Sequence, residues 1–132
     1  MSVAERYEVR VDGLAEPLSH YTDVVVHGNT AYISGCLGVD ADGRVVGEGD
    51  VVAQARQSLH NLGLALASVG SGFEDVLKVT VFLTDIADRT RINPARQEVF
   101  GEHRPASTLV QVCALAVPGA AVEIEAVAAV RS

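Results

Sequence analysis

Glu123 and Glu125 stand two residues apart in a segment that otherwise holds small and β-branched apolar residues. On a strand that spacing puts both carboxylates on one face. A carboxyl in a partly dry cleft can trade protons near neutral pH if burial raises its pKa. In water the same side chain is a solvated strand glutamate or half of a salt bridge, and Glu125 reads best that way. Cys36 would be a nucleophile only with a cation or a helix N-terminus to lower its pKa. The sequence shows no such partner, and a buried, inert thiol is the plainer reading. Cys113 sits in an apolar run and is expected in the core. Ser107 could suggest a hydrolytic triad, but nothing brings a histidine and an aspartate to it. The four histidines, at 20, 27, 60 and 103, lack the i, i+4 spacing of a zinc site, so none is expected.

The elements that must position these groups belong to a chain of 132 residues, which fits one domain spanning 1–132. It is 48% hydrophobic and only 20% charged, with mean hydropathy +0.25. No run of about 18 uncharged apolar residues exists to span a bilayer. The surplus apolar surface is better explained by burial between subunits. The first ten residues carry charge and no apolar core, so they do not read as a secretory signal. Two cysteines without an evident pairing suit a reducing cytoplasm. A net charge of −7, without a basic stripe, argues against nucleic acid and against anionic membranes.

Along the chain, Val24 to His27 and Thr30 to Gly35 flank Gly28-Asn29 as a hairpin. Asp42-Gly43 turns into a short strand, Arg44 to Val46. Asp50 to Gly70 is the clearest helix: Val52, Ala55, Leu59, Leu62, Leu66 and Val69 form one apolar stripe, and Gln54, Arg56, Gln57, His60 and Asn61 lie off it. Asp50 is suited to cap its start and Gly70 to close its end. Val76 to Thr84 alternates, with Leu77, Val79, Val81 and Leu83 on one face and Lys78, Thr80, Phe82 and Thr84 on the other. A second helix falls between Ala87 and His103, with Pro94 in its first turn and Asn93 as cap, or with a start nearer Asp88. Thr108 to Val117 reads as a strand apolar on both faces, so it must be covered twice. Pro118-Gly119 turns into a last strand, Ala121 to Val130. The order is strands, helix, strand, helix, strand, strand: an α+β layer with two helices on one face of a mixed sheet.

Several stretches together resemble the Rid family (YjgF-like, reactive intermediate deaminases). They are Ala53-Gln54-Ala55-Arg56-Gln57-Ser58-Leu59, Val79 through Asp85, Pro105-Ala106, Val110-Gln111-Val112, Val122 through Ala126, and Tyr32-Ile33-Ser34-Gly35. The likeness runs from about Tyr21 to Val130. It implies a chorismate-mutase-like α+β fold and a homotrimer with three intersubunit clefts. It implies action on small enamines or imines, hydrolysed to keto acids and ammonia without a cofactor. Residue by residue, Glu123 matches the glutamate that handles the attacking water, and Tyr21 a tyrosine lining the cleft. Asn93 matches an asparagine at the second helix. Gly35 and Cys36 fall at the family's Ser-Gly-Gln, with Cys36 in place of glutamine. Deaminating members have Pro-Ala-Arg-Ser where this chain has Pro105-Ala106-Ser107-Thr108. That arginine pairs with the substrate carboxylate. Ser107 is neutral and cannot replace it, at a cost of about 2–5 kcal/mol of binding. Arg104 could turn inward instead, although ideal alternation points 104 and 107 to opposite faces.

The resulting expectation is an intersubunit-cleft enzyme acting on a small imine, enamine or carbonyl metabolite other than a standard 2-imino acid. A non-catalytic metabolite-binding trimer is the alternative. An endoribonuclease is disfavoured, since a single-strand channel wants basic and aromatic residues, and this chain has three Tyr, three Phe and no Trp.

Overall fold

The computed structural model describes residues 5–131; part of the first-ten-residue reading above therefore lies outside the described residues. Six strands form one sheet: β1 (Arg6–Val9), β2 (Val24–His27), β3 (Thr30–Leu37), β4 (Val76–Leu83), β5 (Ala106–Gln111) and β6 (Val122–Ala129). Their spatial order is β1-β2-β3-β6-β4-β5. All neighbours are antiparallel except β4 and β5, so the sheet is mixed. Two helices, α1 (Val51–Ser68) and α2 (Asn93–Phe100), form the second layer. β1 is an addition to the sequence reading, which had no strand before residue 24. Its side chains are mostly exposed, so it carries no burial period to detect.

The hairpin forms as its turn signal dictates, with Gly28 at φ 63° and Val24 through His27 paired to Ile33 through Thr30. α1 follows its apolar stripe. Asp50 accepts from the Ala53 amide at 3.1 Å, Gly70 takes φ 71°, and Leu59, Leu62 and Leu66 are fully buried. Each such leucine contributes on the order of 1.5–3 kcal/mol of burial before entropy is subtracted. The stripe packs on β3 and β6, where Ile33, Ile124, Ala126 and Ala128 face it.

Three polar residues of α1 are buried as well. Gln54 Nε2 donates to the carbonyls of Gly47 and Gly119, and its Oε1 accepts from the Ala121 amide at 2.7 Å. Ser58 Oγ donates to Cys36 O at 2.7 Å. Asn61 Nδ2 donates to Leu37 O and Val39 O. Gln54 and Asn61 lie off the apolar stripe, yet not in solvent: they satisfy backbone that leaves the sheet beneath the helix.

Five expectations need correction. Pairing shifts between Val76 and Lys78 against β6; the irregularity buries Val76 and leaves Leu77 53% exposed, so Leu77 does not share the face of Val79, Val81 and Leu83. Arg44 to Val46 is no strand, only a bridge of Val45 to Val39. Asn93 does not cap α2 by its side chain; the helix begins at Asn93 with Pro94 in the first turn, after a separate 3-10 turn at Ile86–Arg89. The run read as a strand from Thr108 to Val117 is a strand only to Gln111, at the sheet's edge beside β4. Cys113 lies beyond it and is exposed, not core. The inner place belongs to β6, whose helix-facing residues Val122, Ile124, Ala126 and Ala128 are buried.

Both helices lie on one face. The other carries Val25, Tyr32, Val127, Lys78, Thr80, Phe82, Glu123 and Glu125, and no element of the described residues covers it. Tyr32 is 51% exposed there. No helix is long and apolar enough to cross a membrane.

Candidate functional site

Pairing of β3 with β6 shifts between Ile33 and Cys36, which leaves Ser34 and Gly35 as a bulge. Ser34 is held there: its Oγ donates to Thr22 O at 2.6 Å and its amide to Asp23 O at 2.9 Å. Gly35 leaves room for the Glu123 carboxyl, which any larger residue there would push aside. A Cβ built on Gly35 would fall 2.7 Å from Glu123 Cδ, closer than real contacts allow. A narrow cleft of about 70 Å³ opens beside the bulge, lined by Tyr21, Asp23, Ser34, Gly35, Cys36 and Val117 among others. Tyr21 Oη accepts from the Leu18 amide at 3.2 Å. Asp23, buried, accepts from the Val11 amide at 2.8 Å and pairs with Arg10.

Burial raises the Glu123 carboxyl above its usual range, and the neighbouring charge of Glu125 adds to the rise. Such a group exchanges protons closer to neutral pH than a surface glutamate does. Burial, with Glu123 second, pushes the Cys36 thiol up to about 12. At neutral pH Cys36 is therefore a thiol, and a thiol is a poor nucleophile; it forms part of the cleft wall.

A second concavity, of about 560 Å³, lies at α2 and is lined by Asn93, Arg96, Gln97, Phe100, His103, Arg104 and other residues around Pro105. Ser107 borders it. In β5 Ser107 is paired with Val79, a core-facing residue, and its Oγ accepts from Arg96 Nη2 at 2.9 Å. Ser107 thus points toward the helix layer. Glu123, paired with Phe82, points to the bare side of the sheet.

The residues singled out in the sequence consequently fall into two groups. Tyr21, Gly35 and Cys36 line the cleft beside the bulge, and Glu123 lies against Gly35; Asn93 and Arg104 line the concavity at α2, which Ser107 borders through Arg96. Within one chain Glu123 and Ser107 stand on opposite faces of the sheet, whereas Cys36, paired with Ile124, faces the helix-side core. Sequence reasoning missed Arg96. The available signal was its spacing, three residues after Asn93 and so on the same helical face. Among the described residues no three of His, Cys, Asp and Glu gather as a metal site.

A small mixed sheet backed by two helices, with a glycine bulge under a half-buried glutamate, marks a YjgF-like domain. The structure of the E. coli YjgF gene product is similar at TM-score 0.86 and 32% identity, covering 95% of this chain and 99% of that one. The family described as Endoribonuclease L-PSP matches residues 13–130. The RutC family protein UK114 of Drosophila melanogaster is 38% identical over 97% of this chain and 92% of its own length. A protein named 2-iminobutanoate/2-iminopropanoate deaminase from Capra hircus is 43% identical over 82% of this chain and 78% of its own length. The chain belongs to this L-PSP, or Rid, family.

Proposed function

We propose that this chain is a cytoplasmic homotrimer whose sites lie between subunits and hydrolyse a small imine, enamine or related carbonyl metabolite. One observation carries the reading: the half-buried Glu123 and the cationic concavity sit on opposite faces of one sheet, so only a second copy can bring them together. Two features support an assembly. The face around Tyr32, Phe82 and Val127 has no cover among the described residues, and β5 leaves Val110 37% exposed at an edge. The two cysteines are unpaired, which suits a reducing compartment.

In the reaction, water adds to the imine carbon. Glu123 takes its proton, nitrogen is protonated, and the resulting carbinolamine collapses to a carbonyl and ammonia. Tyr21 and the backbone at Gly35 and Cys36 orient the substrate. With Ser107 where deaminating relatives carry arginine, simple 2-imino acids are poor substrates. An RNA substrate fits badly, because the chain's net charge is −7 and no basic stripe runs along it.

Sedimentation and an ammonia-release assay with freshly generated 2-iminobutyrate test this reading. The expected result is a trimer whose turnover is slow and is lost in Glu123→Gln. A single sedimenting subunit overturns the reading. Rapid, Glu123-dependent turnover refutes the statement about simple 2-imino acids. Thermal stabilisation by ligands without any product would make the chain a metabolite-binding trimer instead.

A further inference from the structure

We propose that Arg96, braced by Ser107, is the cation that binds a carboxylate of this chain's substrate. The inference rests on the intersubunit site above and specifies what that site takes. Position 107 has no charge of its own, but its hydroxyl accepts from Arg96 Nη2 at 2.9 Å. The guanidinium therefore reaches β5 from the neighbouring helix. One donor is spent on Ser107, which fixes the plane of the group; the others remain for a ligand.

Arg96 is half-buried, and neither it nor Arg104 is paired with a carboxylate among the described residues. None of the residues lining the concavity is acidic, although acidic residues outnumber basic ones in the chain, 17 to 10. Burial works against its charge. A guanidinium drawn from water without an acidic neighbour is costly unless an anion completes it. Arg104 and His103 on the same wall add donors and positive character, and Asn93 adds an amide. A planar, forked donor favours a carboxylate, with two oxygens in one plane. The cation also stands off the strand, on α2, in a space of about 560 Å³. The substrate is accordingly an organic acid bulkier than the smallest 2-imino acids, with its carboxylate held back toward the helix.

Kinetics on imino acids made in situ from 2-aminobutyrate and leucine test this, with Arg96→Gln, Arg96→Lys, Ser107→Ala and Glu123→Gln compared. Circular dichroism confirms that each variant is folded. Arg96→Gln should raise KM about 10- to 100-fold with kcat largely kept, the loss of one charge-assisted contact. Arg96→Lys should recover part of it, and Ser107→Ala should move KM the same way by less. The leucine-derived acid should be preferred in the native chain. An unchanged KM in Arg96→Gln overturns the inference while leaving the Glu123-dependent reaction intact. Where the native protein turns over neither acid, the proposed function fails, and binding of 2-oxobutyrate decides the matter for Arg96. A shift of the Arg96 Nε resonance, assigned by its absence from Arg96→Gln, sustains it. No shift, or an equal response to inorganic phosphate, overturns it.

Discussion

The two faces of the sheet are built from the same strands and differ in how they are finished. On the helix side, Val24, Ala31, Val79, Val81 and Ile124 are at most 1% exposed, closed by α1 and α2. On the other side Tyr32 is 51% exposed, and Phe82, Val127 and Val25 are only half-buried. Both faces carry aliphatic and aromatic residues, so hydrophobicity alone does not tell them apart. The difference lies in what the chain itself can supply: helices for one face, nothing for the other. The glutamate stands on the unfinished side, where a second copy could enclose it.

Three measurements sharpen or break that contrast. Ile124→Ala on the closed face should cost about 2–5 kcal/mol in denaturant unfolding; a cost no greater than that of a surface change would mean the helix layer does not seal the core. Tyr32→Lys on the open face should alter the unfolding of a single chain by no more than about 0.5 kcal/mol. It should nonetheless release single subunits in sedimentation, and a trimer that survives would show that this face is not where copies meet. Glu123→Gln should produce the smallest shift, and its sign is what matters. The folded chain holds the Glu123 proton more tightly than the unfolded one. That stabilisation is complete below the ordinary carboxylate range and is lost as pH rises through the raised value. The glutamine variant should therefore melt slightly higher than the native protein at pH 7, and the gap should close toward pH 4. A gap that does not change with pH would place Glu123 in solvent, and one that widens on acidification would place it beside a cation.

Much of the closed face was legible in the sequence because its signals are periodic. The stripe of α1 and the alternation of β6 each report a single covering partner. Leu77 misled for the same reason: alternation assumes an unbroken ladder, and a pairing irregularity beside it shifts one residue. The apolar run from Thr108 reads as one strand to Val117, yet the strand stops at Gln111 on the sheet's edge; composition says that a run needs cover and not who gives it. Cys113 failed on that point. At the candidate site, Gly35 and Glu123 could be named singly from family likeness, while their apposition depends on a bulge that leaves no mark in a period-two pattern. Arg96 escaped because its partner is eleven residues away and of an uncharged type.

The buried amides and hydroxyl of α1 carry a mechanical implication. Ser58 grips Cys36 O and Asn61 grips Leu37 O, so the stretch of backbone just past the bulge hangs from the helix as well as from its neighbouring strand. A molecule wedged beside Gly35 would have to break hydrogen bonds to the long helix before that segment moved, so this wall of the pocket is tied to the helix layer as well as to the sheet.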